Sequence, residues 1–214
     1  MGKQKHGESP YAGLPEDQWL AVTKRLLREH PLTSELADVA RTAWDDVFET
    51  RIGAQKYRLG IEIQPSPQIM GNFLHELIPL IFRDRYPKMW CRQRSKNDKD
   101  LVCLFDPNYS VEIKTSSHSS QIFGNRSYGQ SPVGETEHRK KGKSGYYLAI
   151  NFEKFSDSGR TPRLIQVRFG WLDHTDWIAQ KSPTGQQSRV SPAAYAGKFI
   201  KIYSLTQPIE ESDS

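Results

Sequence analysis

The chain is predicted to be an α/β protein, a mixed β-sheet flanked by helices, and three observations predict it. Its first third carries apolar stripes of helical period. Its middle holds two strand-like runs joined by the turn Asp106-Pro107-Asn108, and its last third returns to apolar runs broken by short polar insertions. At 214 residues this order is most economically one domain, long enough to bury a sizeable core.

Composition narrows the class. Hydrophobic content of 36% with 26% charged residues fits a soluble globular protein, and no apolar run approaches the length of a membrane span. The polar start MGKQKHGESP argues against a signal peptide. Cys91 and Cys103 have neither a CxxC spacing nor a histidine cluster to hold zinc, which points to a reduced, cytoplasmic protein. A net charge of +5 favours a polyanionic partner, although such basicity also occurs in proteins that never meet nucleic acid.

Residues 1–12 lack apolar periodicity and are expected to be a disordered tail. Pro15 suits the first position of a helix running to about Glu29, with Trp19, Leu20, Val22, Thr23, Leu26 and Leu27 near one face, and His30-Pro31 ends it. Thr33 or Ser34 can cap a second helix through about Glu49, with Leu36, Val39, Ala40, Ala43, Val47 and Phe48 as its buried stripe. Two such helices could form a helix-turn-helix DNA reader. Glu35, Asp38, Asp45, Asp46 and Glu49 on the second helix would be repelled by phosphates, so a scaffold or subunit-contact role is favoured.

Residues 51–66, with Arg51, Lys56 and Arg58, lead to Pro65-Ser66-Pro67, a cap and start for a third helix over Pro67 to about Arg83. Its apolar content predicts burial, Pro79 suggests a kink, and Glu76 is the oddity, since a carboxylate is seldom buried without a partner or a metal. The bland alternative has Glu76 facing solvent near His75 and pairing with Arg83 or Arg85. Arg83, Arg85, Lys88, Arg92, Arg94, Lys96 and Lys99 then form a basic run suited to phosphate contacts.

The run Leu101 to Phe105, the turn, and Ser110 to Thr115 read as a hairpin. A five-residue turn over Asp106 to Ser110 sets Phe105 roughly opposite Val111. Asp100 then shares a face with Glu112 and Lys114, while Val111 and Ile113 point into the core. Neighbouring carboxylates repel each other, and a hard divalent cation such as magnesium relieves them. A lysine beside them can stabilise a phosphate or help to position and deprotonate a bound water, which suits metal-assisted hydrolysis of a phosphodiester. The acid-x-lysine triplet alone is weak, because a chain of this composition should hold roughly two by chance. A solvated hairpin face with a cross-strand ion pair is the competing reading.

Beyond the hairpin, HSSQIFGNRSYGQ is rich in side chains that can read base edges, with Gln121, Asn125, Arg126, Ser127 and Gln130 as candidates. Gln121 could instead assist the active site if a helix begins there. Glu137 to Lys143 adds a second basic cluster, an exposed loop or a cover for nucleic acid. Strands follow over Tyr146 to Phe152, Leu164 to Trp171 and Phe199 to Leu205, with Asp157-Ser158-Gly159-Arg160 as a turn and Asp173 to Gln180 as a possible short helix. KSPTGQQSR, residues 181–189, is a second candidate reading loop through Gln186, Gln187 and Arg189. The acidic segment 207–214 is expected to be disordered.

Asp100 followed by Glu112-Ile113-Lys114 resembles the signature of the PD-(D/E)XK nuclease superfamily. The family's proline before the first acid is absent, Lys99 standing there, and Asp98 is a rival for that acid. The resemblance implies a restriction-endonuclease-like sheet and a single nuclease domain over 13–206, with a helical part at 13–50 and a catalytic core at 67–206. Within the superfamily the chain looks most like a compact type II restriction endonuclease, and KDLVC, VEIKTSS, QIFGNRSYGQ and RFGWLDHTDWI resemble the ScaI-like enzymes.

The resemblance further implies that Asp100 and Glu112, with Glu76 as an extra acid from the preceding helix, hold one or two magnesium ions (Mg2+). Lys114 then orients the attacking water or offsets transition-state charge. It also implies cutting of double-stranded DNA to 5′-phosphate ends by a homodimer on a palindrome, with a methyltransferase of the same specificity protecting the host. Two rivals remain at this point: a structure-specific repair or junction-resolving nuclease, and a non-catalytic DNA-binding protein.

Overall fold

The computed structural model describes residues 9–129, 142–155, 160–180 and 187–205. Expectations for the tail 207–214, for Gln130 and Gln186, and for most of the basic cluster at 137–143 and of the turn at 157–160 lie outside the described residues.

Three helices come first: α1 (Glu16–Glu29), α2 (Leu36–Phe48) and α3 (Pro67–Arg85), with a small exposed hairpin, β1 (Arg51–Ile52) and β2 (Tyr57–Arg58), between the last two. Then come β3 (Trp90–Arg92), β4 (Leu101–Cys103), β5 (Val111–Ser116), β6 (Phe123–Asn125), β7 (Gly145–Phe152), β8 (Leu164–Leu172), β9 (Trp177–Ala179), β10 (Gln187–Val190), a short helix α4 (Pro192–Gly197) and β11 (Phe199–Ser204). The predicted mixed sheet is present. Its six strands run β11-β8-β7-β5-β4-β3, with β5 and β7 parallel and the other pairs antiparallel.

Strand periodicity divides the core between the sheet's two faces. Tyr146, Leu148, Ile150 and Phe152 of β7 join Val111 and Ile113 of β5 in a core shared with Leu36, Val39, Ala43 and Val47 of α2 and Leu74 and Ile78 of α3. The intervening Tyr147 and Ala149 belong to a second core with Ile122, Trp177, Val190 and Ala194. That second face is covered by α4 and by a three-stranded antiparallel sheet ordered β6-β10-β9. Central strands covered on both faces read as continuous apolar runs, which is why β7 and β8 were so visible in the sequence. Among the described residues no helix is long and apolar enough to cross a membrane.

Several expectations are corrected. The tail does not extend to residue 12: Tyr11 is buried against Trp19 and Trp171, its hydroxyl meets Thr23 at 2.8 Å, and Ser9 donates to Asp173 at 2.7 Å. Glu35, not Thr33 or Ser34, stands at the N-cap of α2, because the Thr33 hydroxyl is spent on the Leu27 carbonyl at 2.6 Å. Helix α3 runs on through Pro79 to Arg85.

Residues 173–180 are not a helix. A single 3-10 turn, His174–Asp176, is closed by a capping box from Asp173, and the chain then straightens into β9 to pair with β10. Both acids of this turn are drawn to the buried Lys198, whose ammonium lies 3.0 Å from Asp173 and 2.9 Å from Asp176 and packs over Tyr11 and Trp19. This triad ties the N-terminal residues to the far edge of the sheet.

His30, just past α1, is the other buried polar anchor. Its Nδ1 accepts the Leu32 N–H at 3.2 Å, so its Nε2 is the donor to the Tyr109 carbonyl at 3.0 Å, within a cage of Trp90, Tyr109, Tyr146 and Phe169. Burial lowers its pKa from 6.5 to about 4. The unfolded chain therefore takes up the proton first as pH falls. The stability held by neutral His30 is complete above pH 6.5 and is lost on descent toward about 4, by roughly 3 kcal/mol. NMR titration of the imidazole should give a midpoint near 4, and urea unfolding should show the loss within that window. A midpoint above 6 would contradict the buried neutral ring.

Candidate active site

β5 lies between β4 and β7 in the middle of the large sheet, and alternation sends Val111, Ile113 and Thr115 toward the helices and Glu112 and Lys114 toward the small sheet. Glu112 is 1% exposed. A carboxylate so deep must be bound by partners to stay charged. Lys114 Nζ donates to Glu112 Oε1 at 2.7 Å, and the Tyr128 hydroxyl donates to the same oxygen at 2.9 Å. Lys114 also lies over the Tyr128 ring, 4.8 Å from its centroid. Across β5, Glu112 is in register with Tyr147 of β7, whose phenol is pushed well up by burial.

The hairpin register differs from the expected one. Leu101, not Phe105, stands opposite Val111, and Leu104 and Phe105 are exposed. The whole of 104–110 is connection, because the Ser110 hydroxyl takes the Cys103 N–H at 3.1 Å and Asp106 caps the 3-10 turn Pro107–Tyr109 through the Asn108 N–H. The shift is even-numbered, and continuing the Leu101–Val111 register one residue beyond β4 would set Asp100 opposite Glu112, although its carboxylate turns toward α3. The Asp100 carboxylate accepts the Ile113 N–H at 2.7 Å and lies 3.4 Å from His75 Nδ1 of α3. Asp98, the rival first acid, is used up locally, accepting the N–H groups of Arg94 and Ser95.

Glu76 is on α3 one residue from His75 and lines the same cleft as Asp100, a space of about 510 Å³ bordered also by Asn72 and residues 92–96. Its side chain is 57% exposed and its carboxylate is held 2.6 Å from Arg92, so it faces solvent and pairs with neither Arg83 nor Arg85. Part of the basic run is likewise engaged: Arg85 reaches Glu35 and Asp38, and Lys99 donates to the Gly142 carbonyl. Arg94 and Lys96 stay exposed at the cleft.

The donor set suits a hard divalent cation. Among the described residues no group of three or more His, Cys, Asp or Glu side chains that could hold a metal ion comes together; Asp100 and Glu112 are the carboxylates on either side of the Ile113 N–H that could contribute oxygens to one. One or two carboxylates, with waters and substrate phosphate completing the shell, is how magnesium is commonly bound, and a zinc-like nitrogen and sulfur cage is absent among these residues.

The two polar segments expected to be loops meet in one sheet. β6 and β10 pair with Asn125 opposite Gln187 and Phe123 opposite Arg189, so Asn125, Gln187 and Arg189 share one exposed face. Ser127 is exposed and Arg126 half-buried in the 3-10 turn that follows β6. No helix begins at Gln121, whose carbonyl accepts from Asn151 at 2.9 Å. Sequence reasoning missed Tyr128 and His75 as members of the site. Nothing in local spacing marks them, since both arrive from elements outside the hairpin.

Comparison with known proteins gives a single consistent result. The ScaI restriction endonuclease family matches residues 9–203. The type II restriction enzyme ScaI of Streptomyces caespitosus is 46% identical over 203 residues, covering 94% of this chain and 87% of that protein.

The seat of α3 on β5 can be tested by stability alone. A Cβ at Gly71 would meet Thr115 Oγ1 at 2.5 Å, next to Lys114. Gly71→Ala gains about 1 kcal/mol of helix propensity but overpacks the contact at a cost of about 1–3 kcal/mol. A lower unfolding temperature is expected, recovered when Thr115→Ala removes the obstructing hydroxyl. If Gly71→Ala were more stable than the wild type by the full helix-propensity gain of about 1 kcal/mol, the helix would not be seated there.

Proposed function

The chain belongs to the ScaI restriction endonuclease family, and from that membership we propose how its residues cut DNA and choose where to cut. It is a type II restriction endonuclease, a DNA hydrolase, and both rival readings of the sequence give way to that assignment.

We take Asp100, Glu112 and Lys114 as the catalytic group. The observation that carries this is the nearly dry Lys114–Glu112 contact at 2.7 Å, made by the two residues that flank Ile113, whose N–H the Asp100 carboxylate accepts. Asp100 and Glu112 would hold the divalent cation, magnesium in our reading, which when bound polarises the phosphoryl oxygen and lowers the pKa of water. Lys114 presents its ammonium where it can orient the attacking water and offset the negative charge that grows on phosphorus oxygens during in-line displacement. Glu76 is kept as an auxiliary acid at the cleft. Its release from Arg92 would be required before it could act as a ligand.

Arg94 and Lys96 at the cleft suit phosphate contacts. A two- or three-stranded antiparallel ribbon fits the major groove, and the shared face of Asn125, Gln187 and Arg189 carries the groups that pair with adenine and guanine edges. Gln121, Arg126, Ser127, Gln130 and Gln186 are further candidates in the same segments. We read the chain from Ser9 to about residue 206 as one nuclease domain acting in the cytoplasm as a homodimer on a palindromic site. The expected products carry 5′-phosphates, and a methyltransferase of matching specificity would protect the host DNA.

Incubating the protein with plasmid and magnesium, then sequencing the ends, tests the whole reading. Discrete products with one common flanking sequence are expected. Lys114→Ala and Glu112→Ala should each lower cleavage by at least about a thousandfold while binding to a site-bearing duplex in calcium persists. Asp98→Ala should cut normally. If Lys114→Ala and Glu112→Ala both cut at wild-type rate, the catalytic assignment is wrong.

Asn125→Ala, Gln187→Ala and Arg189→Ala should each weaken discrimination at one position of the site by about 1–3 kcal/mol. Competition between the preferred duplex and single-base variants measures this, and unchanged discrimination in all three would remove the small sheet from base recognition.

A further inference from the structure

Tyr128 touches both functional regions of the fold. Its hydroxyl is on Glu112 Oε1 at 2.9 Å, its ring faces the Lys114 ammonium, and the same ring meets Trp177 of β9 nearly edge-on at 4.8 Å. Its flanks leave it no slack. A Cβ at Gly124 of β6 would lie 3.0 Å from Tyr128 Cγ, 3.1 Å from Ser188 Oγ and 3.1 Å from Trp177 Cζ3, so strand and ring are already in close contact. Gly129, the next residue, presses so closely on β9 that a Cβ would come within 2.3 Å of the Ala179 N.

Packed interiors transmit displacement, because no void exists to absorb it. A shift of the small sheet must therefore carry the Tyr128 ring with it. The hydroxyl at the far end of that ring shares Glu112 Oε1 with Lys114, and hydrogen bonds weaken steeply with small changes of distance and angle. We propose that Tyr128 is the positioning residue that couples engagement of the small sheet by DNA to the orientation of Glu112 and Lys114. The proposal rests on the assignment of base reading to that sheet and of hydrolysis to those two side chains. The hydroxyl already stands on Glu112 in this structure; seating on the preferred sequence keeps it there, whereas imperfect seating displaces the ring and leaves the acid and the lysine misaligned.

Tyr128→Phe retains the ring and its packing and deletes only the hydroxyl. Single-turnover cleavage in magnesium is measured on a duplex carrying the site found by end sequencing and on one with a single base pair changed. Cleavage of the preferred site should slow about tenfold or more, and the ratio of the two rates should fall. Calcium-supported binding should stay at its wild-type value, and the unfolding temperature should fall only modestly, because Glu112 loses one donor and keeps Lys114; a purely structural role for the tyrosine would leave the ratio of the two rates unchanged.

Gly124→Ala supplies the second arm by pushing on the ring from the small sheet without touching Glu112. It should slow the wild-type background yet add little in the Tyr128→Phe background, a non-additivity that marks coupling through the tyrosine. Equal slowing of both duplexes by Tyr128→Phe, wild-type rates in that variant, or losses that simply multiply would each overturn the proposal. If Gly124→Ala does not fold, the ratio in Tyr128→Phe decides alone. A wild-type chain that cuts nothing overturns the endonuclease reading itself, whereas a fully active Tyr128→Phe overturns only the coupling.

Discussion

A carboxylate buried at the centre of the sheet constrains everything around it. Glu112 is 1% exposed, and an ionised group in that setting persists only while hydrogen-bond donors surround it. Lys114 and Tyr128 meet that need at one oxygen, and each is delivered by a different part of the fold. The lysine follows from strand alternation. The tyrosine requires that the chain leave β5, make β6 and return across the face of the sheet.

That return path is held by polar groups that otherwise have no business in a core. Asn151 of β7 donates to the carbonyls of His118 and Gln121, Gln166 of β8 donates to Ser119, and Arg168 of β8 donates to Ser120 and to Asn151. The Tyr195 hydroxyl then accepts the Ile122 N–H, while the Arg168 guanidinium lies over the Tyr195 ring. A loop crossing a sheet face exposes carbonyls that must be satisfied. Here the two central strands provide donors at fixed positions, so the segment linking the proposed catalytic strand to the small sheet has one defined course.

Burial also explains the separation of the other charged groups. Lys198 is buried with Asp173 and Asp176 and serves to close the far edge of the molecule, whereas Glu76 and Arg92 pair on the surface of the cleft, where solvent screens them. The same residue types thus do different work at different depths.

The apolar periods of α1, α2, α3, β5, β7 and β8 were legible because each element buries one stripe or both faces, a constraint written into every third, fourth or second residue. That Glu112 and Lys114 share a side of β5 was legible for the same reason, since alternation alone fixes it, whereas the turn of the Asp100 carboxylate toward His75 of α3 was not. Local pattern could not locate the end of β4, since the Ser110 hydroxyl and the Asp106 cap terminate its pairing with β5 before Leu104, whose N–H still reaches the Met89 carbonyl at 2.8 Å. Nor could it show that two polar segments some sixty residues apart would pair as β6 and β10, that Tyr128 would reach Glu112, or that Glu76 would turn to Arg92. Those outcomes depend on contacts distant in the chain, whose free energy exists only once the sheet and its two cores have brought the partners together.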